Sequence, residues 1–468
     1  MTELSFTAGE VARAAGGRVA QGDSGRVIDR VSIDSRTIAP GDFFIALRGE
    51  RFDGHRFAPD ALAKGASGVL VEPGALDPAS VPAGAVAIEV ADTTRALQDI
   101  ARTVRDRSGA RVVAITGSAG KTTTKEITAE FLAARYRVYR NRGNLNNHIG
   151  LPLSLLDLRT GPEIAVVELG MNHPGEIRTL VGIARPDVRV WTNVGDAHLG
   201  FFPTTDAIAE AKAEILEQAG AADVLVANAD DARVMAHARR FAGRVVTFGL
   251  SDPADVHARD VQLRGLDGSA CTVRTRSAEA TLSTPLLGMG NLANVLAAVA
   301  VAAWFDVPLA ACAARAASLR PAHHRGELVR LPGGVTLIDD SYNSSPSALK
   351  RSLETVKTAT GSARKGAVLG EMLELGEHAA ALHEECGRAA AASGLDFLIT
   401  VGGAPAHLLA DAAVGAGMKP ACVRHVATRG EAGDVALEKV RPGDLVLIKG
   451  SRGIGTDAVV ERLKAEFA

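Results

Sequence analysis

Short apolar runs alternate with helical stretches through the middle of the chain. The runs lie at residues 111–116, 164–169, 188–192 and 223–228. Short apolar runs bounded by turn residues are typical of strands that are buried on both faces. Strands that alternate with helices favour a mostly parallel sheet covered by helices on both sides. We therefore predict a central α/β domain over residues 89–320.

Two further α/β blocks flank this domain. In the first block the pattern predicts a helix at 8–15 and then a strand, a Pro-Gly turn and a strand between 31 and 47. In the last block, apolar runs at 335–339, 366–369, 397–401 and 445–449 alternate with helical stretches at 346–358, 379–392, 404–415 and 456–465. This alternation predicts a doubly wound, Rossmann-like unit. The expected fold is α/β in three domains: a small one over 1–88, the central one over 89–320 and a C-terminal one over 321–468.

Composition narrows the class of partner. With a net charge of −2 and 4% aromatic residues, the chain offers neither attraction to nucleic acid or anionic membranes nor stacking platforms for single strands. The four cysteines form no C-x-x-C pair, so we expect reduced thiols. The longest apolar stretch, 295–314, is interrupted by Asp306 and Pro308 and is predicted to be a buried helix. No signal peptide is visible, and we expect a cytoplasmic protein without membrane insertion.

The run from Arg111 to Thr124 carries the strongest functional signal. An apolar strand enters a glycine turn, and a lysine and hydroxyl residues then open a helix. Backbone N–H groups of such a turn converge on an anion, and the helix N-terminus adds partial positive charge. The spacing, G-x-x-G-K-T, is two residues shorter than the usual phosphate loop. It predicts an ATP-phosphate site formed by Gly117, Ser118, Ala119, Gly120, Lys121, Thr122 and Thr123.

Polar residues stand at other strand ends, where ligands of parallel sheets bind. Glu168 is predicted to bind metal or activate water, and His198 could join it. Lys212 has the pattern of an exposed helix lysine. Asn291 is expected to cap the helix that it opens, whereas Asn294 could contact adenine.

The junction with the last block adds further candidates. Asp340 closes a predicted strand and could hold ribose or metal, and Arg325 could enter the ATP site. His323 and His324 are expected to be solvated.

Together these residues resemble the Mur ligase family, the ATP-dependent amide ligases of peptidoglycan assembly. The family's motifs are matched by the loop Thr116–Thr123, the strand end Glu168–Gly170, the A-H-x motif Ala197–Leu199, the pair Asn291 and Asn294, the linker Arg325, and Asp340 with Ser341.

Within the family, the chain resembles the members that add D-alanyl-D-alanine to UDP-N-acetylmuramoyl-tripeptide. The stretches that carry this likeness are 34–36 with 49–55, 143–150, 168–177, and 340–343 with 449–452. The D-N-P-R motif of the sister ligase that adds a diamino acid is missing. The resemblance implies a monomeric ligase that uses ATP and two Mg²⁺ ions and works through an acyl phosphate.

The resemblance also implies roles for individual residues. The implied catalytic residues are Lys121, Glu168, His198 and Lys212, the last at a position that several members carbamylate. The implied metal ligands are Thr122, Glu168 and His198. The implied substrate contacts are Ser35 and Arg36 for the uridine diphosphate, with Asn144, Asn147, Tyr342 and Asn343.

Alternatives remain open at this point. One is a sister ligase that adds a diamino acid or extends a folate chain, although the first block argues against the folate branch. Another is a non-catalytic ATP-binding switch, although intact Lys121, Thr122, Glu168 and His198 argue against a decayed site.

Overall fold

The computed structural model describes residues 4–49 and 52–467. Glu50 and Arg51, which belong to the stretch 49–55, lie outside the described residues. The chain forms two compact units. The first reaches to Ala114 and takes in Tyr136–Met171 and Gly175–Val188; the second contains Ile115–Arg135, Asn172–Pro174 and the chain from Arg189 onward. The predicted boundaries at 88/89 and 320/321 stay predictions.

The N-terminal part alternates short strands with helices, as its pattern predicts. Its elements are β1 (Phe6–Thr7), α1 (Ala8–Ala14), β2 (Arg18–Gln21), β3 (Val27–Ile28), β4 (Val31–Ser32), β5 (Phe43–Ile45), α2 (Ala58–Ala63), β6 (Gly68–Val71), β7 (Val86–Glu89) and α3 (Thr93–Ser108). The main sheet has the order β2-β7-β6-β5-β4. Strands β4 and β5 are parallel, with Val31 opposite Phe43. The Pro-Gly turn therefore lies in a crossover connection and does not close a hairpin.

The middle of the chain contains the predicted alternation of strands and helices. Its elements are β8 (Arg111–Thr116), α4 (Lys121–Leu132), β9 (Val138–Arg140), α5 (Gly150–Leu156), β10 (Ile164–Glu168), α6 (Glu176–Ala184), β11 (Val188–Trp191), α7 (Thr205–Ala213), β12 (Val224–Asn228), α8 (Ala232–Ala238), β13 (Arg244–Gly249), β14 (Val256–Leu263), β15 (Ser269–Arg274), β16 (Glu279–Thr284), α9 (Gly288–Trp304) and α10 (Leu309–Ala316). In the second unit the strands follow in the order β11 to β16. Strands β12 to β14 are parallel, and β15 and β16 continue antiparallel because short turns connect them.

The apolar stretch 295–314 is divided between α9 and α10. Helix α9 is buried around most of its circumference from Leu292 to Ala302 and packs against α4. The break falls at Pro308, the residue before the first turn of α10, where a proline is tolerated. No helix in the described part of the chain is long and apolar enough to cross a membrane.

The C-terminal part is the expected doubly wound unit. Its elements are β17 (Glu327–Arg330), β18 (Thr336–Asp340), α11 (Pro346–Thr358), β19 (Lys365–Gly370), α12 (Ala379–Ala392), β20 (Phe397–Val401), α13 (Ala404–Gly415), β21 (Val423–Val426), α14 (Arg429–Lys439), β22 (Leu445–Lys449) and α15 (Asp457–Glu466). The order is β17-β18-β22-β19-β20-β21, parallel except for β17. Alternate residues of the central strands enter separate apolar clusters, such as Leu447 in one and Ile448 in the other. Helices therefore cover both faces of the sheet, which confirms the predicted fold class.

Candidate active site

The phosphate loop (residues 117–123) connects β8 to the N-terminus of α4. Gly117 (φ +151°) and Gly120 (φ +84°) adopt backbone conformations that favour glycine. A Cβ at Gly117 would overlap Oγ1 of Thr192, and one at Gly120 would overlap the Asn294 amide. The Nζ of Lys121 donates to the Gly117 carbonyl at 2.8 Å, so the ammonium lies over the loop. This arrangement fits a cradle for phosphate oxygens.

A residue at a predicted strand end, to which the sequence assigned no role of its own, holds this loop in place. The amide of Asn193, just beyond β11, accepts from Ala119 N–H (2.9 Å) and donates to the Ala119 carbonyl (3.0 Å). Its backbone carbonyl accepts from Ser118 N–H at 3.0 Å. Thr192 also donates through Oγ1 to the Ala119 carbonyl at 2.8 Å. The shortened loop is therefore braced by the neighbouring strand end.

The predicted Asn291 cap is wrong, because the N-cap of α9 is Leu287, four residues earlier, and the helix begins at Gly288. Asn291 lies in the first turns of the helix, and its amide donates to the Leu287 carbonyl at 2.9 Å. Asn294 donates to Oδ1 of Asn291 (3.2 Å), and its own Oδ1 accepts from Thr124 Oγ1 (3.2 Å). The two asparagines therefore connect α9 to α4, next to Gly120. Whether Asn294 contacts adenine stays a prediction.

His198 lies close to the lysines of the site. Its Nδ1 is 2.7 Å from Oε2 of Glu374, a residue between β19 and α12 that the sequence did not indicate. Burial lowers the pKa of His198, the charges of Lys121 and Lys212 lower it further, and Glu374 opposes the change. The neutral imidazole is thereby favoured, which is the form that binds a metal ion. The hydrogen bond to His198 lowers the pKa of Glu374.

Lys212 is buried and not the exposed helix lysine that its local pattern indicates. It is 1% exposed, near the end of α7. Burial, and secondarily the charge of Lys121, lowers its pKa well below the ordinary value of 10.5. An amine with a lowered pKa is neutral more often and hence more nucleophilic. This environment suits the carbamylation that the family resemblance implies.

Asp340 is the centre of a polar cluster at the end of β18. Its Oδ2 accepts from Lys449 Nζ (2.7 Å) and from Ser352 Oγ (2.8 Å). Lys449 also donates to the Asn343 carbonyl at 3.0 Å. This ion pair orders the turn that carries the candidate substrate residues Tyr342 and Asn343.

Tyr342 lies between two arginines. The guanidinium carbon of Arg325 is 4.0 Å from the ring centroid of Tyr342, and that of Arg452 is 5.5 Å from it. Guanidinium groups bind carboxylate and phosphate groups, so these two arginines form a candidate anion-binding surface beside Tyr342. The expectation that His324 is solvated is wrong. Its side chain is only 19% exposed, and its Nδ1 is 2.7 Å from Oδ2 of the buried Asp339. His323 is exposed, as expected.

In the first unit, Glu168 is buried and held by two asparagines. Asn146 donates its amide to Oε1 of Glu168 at 2.5 Å, and Asn141 accepts from the Glu168 N–H at 3.2 Å. Gly170 lies against Asn146, where a Cβ would clash. A buried carboxylate oriented by amide groups is suited to binding a hard cation.

The other candidates of the first unit use their side chains locally. Arg36 forms a two-pronged pair with Asp34 and lowers the pKa of that carboxyl to about 2. Ser35 accepts from Lys64 Nζ through its carbonyl. Asn147 accepts through Oδ1 from the Gly150 N–H (2.8 Å), which leaves its NH₂ group to offer a substrate. Asn144 uses its carbonyl to accept from the Asn146 N–H.

In the second unit, the hydroxyl of Thr122 and the neutral nitrogen of His198 suit a metal ion that shares its ligands with phosphate. Glu168 lies in the first unit, and its part in binding metal stays a prediction. No group of three or more His, Cys, Asp or Glu side chains that could hold a metal occurs within residues 4–49 and 52–467. Mg²⁺ commonly keeps phosphate and water ligands, so a sparse protein donor set is the expected one.

Comparisons with known proteins find matches in the first, middle and last parts of the chain. Three family models match the chain: Mur ligase family, catalytic domain, over residues 27–105; Mur ligase middle domain over 115–302; and Mur ligase, glutamate ligase domain, over 324–452. The UDP-N-acetylmuramoyl-tripeptide–D-alanyl-D-alanine ligase of Bacillus subtilis is 35% identical over 93% of each chain.

Solved structures agree with the family models. The crystal structure of MurF from Acinetobacter baumannii matches with a TM-score of 0.88 and 30% identity, over 99% of this chain and 100% of that one. The MurF ligase from Thermotoga maritima, in complex with ADP, matches with a TM-score of 0.82 and 30% identity, over 94% and 97%. Fold and site together define an ATP-dependent ligase that forms a carbon–nitrogen bond. The chain belongs to the Mur ligase family.

Proposed function

We propose that this chain joins D-alanyl-D-alanine to UDP-N-acetylmuramoyl-tripeptide at the expense of ATP, giving the pentapeptide precursor of peptidoglycan. The observation that carries the proposal is the 35% identity, over 93% of each chain, to a ligase named for this reaction. The phosphate loop with Lys121 in place supports it, because a decayed relative would not need to retain that geometry.

The phosphate loop would receive the triphosphate of ATP. The N–H groups at the start of α4 and the ammonium of Lys121 would bind the β- and γ-phosphates. Thr122 and His198 would offer ligands to Mg²⁺, which supplies charge neutralisation on the phosphates when bound. Glu168 belongs to the other compact unit, and its share in binding metal rests on the family's pattern, as does a second ion. Arg325 and Asp340 would contact the nucleotide on the same grounds.

The tripeptide carboxylate would attack the γ-phosphorus in line, and the bond from that phosphorus to ADP would break. The amine of D-alanyl-D-alanine would then attack the acyl carbon, and inorganic phosphate would leave as the amine loses its proton. Two anions must meet in the first step, so the cations around the loop lower its barrier. Lys212, as a carbamate, would add an anionic oxygen ligand for metal.

The other proposed contacts involve the UDP-linked substrate and the dipeptide. Ser35 and Arg36 would hold the uridine diphosphate, and Asn144 and Asn147 would contact the rest of that substrate. Tyr342 and Asn343, in the turn ordered by Lys449, would face the incoming dipeptide.

The test is a product assay with a matched control. The protein is incubated with ATP, Mg²⁺, the UDP-linked tripeptide and D-alanyl-D-alanine, while phosphate and pentapeptide mass are followed. We expect one pentapeptide per phosphate from the wild type and none from Lys121→Met. Phosphate release that needs the tripeptide but yields no pentapeptide would contradict the proposed acceptor, and a diamino acid or glutamate offered in its place would identify the sister activity. No turnover with any acceptor would favour the non-catalytic switch.

A further inference from the structure

Helix α11, which opens the C-terminal domain's first crossover, takes its N-terminal cap from a distant loop. Among the described residues, Ser345 at the N-cap position gives no side-chain bond to the first turn, and Pro346 carries no N–H. The N–H of Ser347 donates instead to both carboxylate oxygens of Asp196, at 3.0 and 3.3 Å. The Ser347 hydroxyl donates to Oδ1 of Asp196 at 2.7 Å. Asp196 is 151 residues away in sequence.

The same loop is bound to the phosphate loop. Gly195, the neighbour of Asp196, donates its N–H to Oγ of Ser118 at 2.9 Å. A Cβ at Gly195 would lie 3.3 Å from Oγ of Ser347 and 3.6 Å from Cβ of Ser118. The backbone at 195 is therefore enclosed between the phosphate loop on one side and the start of α11 on the other.

Helix α11 extends this connection into the candidate acceptor site. Ser352, on α11, donates to Asp340 at 2.8 Å, and Asp340 pairs with Lys449. The helix also rests on the start of α9, where a Cβ at Gly288 would lie 2.9 Å from Oγ1 of Thr355. A chain of direct contacts thus leads from Ser118 to the turn that carries Asn343.

We propose that Asp196 is a positioning residue for amide formation. By capping α11 it holds the Asp340 cluster in register with the phosphate loop. A carboxylate at a helix N-terminus is stabilising through both the hydrogen bonds and the helix dipole. Because this cap comes from the middle domain, the Ser347 N–H keeps its partner only while the two domains keep this arrangement. The inference rests on the proposed function for its kinetic consequence, but not for the cap itself.

The consequence falls on the second chemical step. Activation of the carboxylate uses the phosphate loop, whereas attack by the amine needs the C-terminal domain in place. Without the cap, the acyl phosphate would meet water more often. Water would then add to the acyl carbon, the bond to the phosphate oxygen would break, and free tripeptide and phosphate would result. Loss of Asp196 should therefore release phosphate without amide.

Three variants test the proposal: Asp196→Ala, Ser347→Ala and the double variant. We expect Asp196→Ala to raise KM for D-alanyl-D-alanine about five- to tenfold, the factor that one N-cap corresponds to. KM for ATP should rise by a smaller factor, because Asp340 of the same cluster would also contact the nucleotide. The ratio of phosphate to amide should rise above one. Ser347→Ala keeps the N–H bond and should show a smaller effect. The double variant should match Asp196→Ala, because both lost bonds end on one carboxylate.

Asp206→Ala serves as the control, since that carboxylate is exposed and pairs only with the surface residue Arg233 among the described residues. Wild-type KM and a ratio of one in Asp196→Ala would overturn the proposal. An equal rise in KM for ATP and for the dipeptide, together with a lowered melting temperature, would also overturn the proposal, because it would show a merely structural role.

Hydrogen exchange separates this proposal from the proposed function. In the protein without substrates, Asp196→Ala should speed amide exchange at the first turn of α11 about fivefold, and Asp206→Ala should not. Unchanged exchange there would overturn the cap, whatever the enzyme makes. If the wild type forms no pentapeptide while the exchange result holds, the proposed function fails and the cap stands.

Discussion

The ion pair between Lys449 and Asp340 offers a quantitative test of what stabilises the candidate acceptor site. Lys449 ends β22 and is 3% exposed, and its ammonium donates to Asp340 and to the Asn343 carbonyl. Lys449→Met keeps the aliphatic volume but removes the charge and both bonds. The carboxylate of Asp340 then remains without its cation.

The cost follows from the burial of the pair. Removing one partner of a buried ion pair costs about 3–5 kcal/mol. The Asp340 side chain is 20% exposed and keeps its bond from Ser352, so the lower end applies. We expect Lys449→Met to lower the stability of the structure around the pair by about 3 kcal/mol. This corresponds to a roughly 150-fold larger equilibrium constant for local opening of β18 and β22.

Both tryptophans, Trp191 and Trp304, precede the C-terminal domain, so tryptophan fluorescence would not report directly on this ion pair. Hydrogen exchange read by mass spectrometry is therefore the suitable assay. Peptides covering β18 and β22 should exchange about a hundredfold faster in Lys449→Met. Lys464→Met is the control, because Lys464 forms an exposed pair with Glu461 that contributes under about 1 kcal/mol.

A second substitution checks the sign of the effect. Adding Asp340→Asn to Lys449→Met removes the stranded charge and should restore part of the lost protection. Exchange in Lys449→Met within threefold of the wild type would refute the reasoning. A double variant less protected than Lys449→Met would show that the cost does not come from the uncompensated carboxylate.

Three further predictions concern the other candidate residues. Lys121→Met should abolish phosphate release with an unchanged melting temperature; turnover near the wild-type level would remove the phosphate assignment. Arg36→Ala should raise KM for the UDP-linked substrate about tenfold and let the pKa of Asp34 rise from about 2 towards 3.8, whereas the surface variant Arg13→Ala should change neither. Burial lowers the pKa of Lys212 in the folded chain, whereas the unfolded chain keeps the ordinary value of 10.5. Between these two pKa values the unfolded chain binds more protons at Lys212 than the folded chain does. The free energy of unfolding of the wild type therefore increases as the pH rises through that window. Lys212→Met, in bicarbonate-free buffer, should lose this gain and show a flatter melting profile over the accessible part of the window; an unchanged slope would contradict the buried amine.

Periodicity located four strands of the C-terminal domain to within one residue, because these strands are largely buried and their apolar runs are uninterrupted. It did not predict the edge strands β17 and β21, which are mostly only half-buried. The strand predicted at 397–401 is β20, and that at 445–449 is β22. The cap of α9 lies four residues before the predicted Asn291, because an asparagine near a helix start fits the cap pattern whether or not it caps the helix. The sequence pattern at 31–47 could not predict that β4 and β5 are parallel, because the alternation of apolar and polar residues does not encode the direction of a neighbouring strand.

The site residues that the sequence missed are those defined by distant partners. Glu374 contacts a histidine 176 positions earlier, and Asn193 contacts a loop 74 positions earlier. Neither has a local motif. Lys212 was read as exposed because its neighbours in α7 are mainly alanine and glutamate, which leave the buried face of a helix undefined.

The loop after β11 explains why the motif Ala197–Leu199 stands where it does. Within six residues it presents Asn193 to the phosphate loop, Asp196 to α11 and His198 to Glu374. Each contact ends in a different segment, so inserting or removing one residue would misdirect at least two of them. A change in the length of this loop should therefore weaken its contacts with the phosphate loop, with α11 and with Glu374. The short spacing from Asn193 to His198 thus lets one loop connect the phosphate loop, α11 and Glu374.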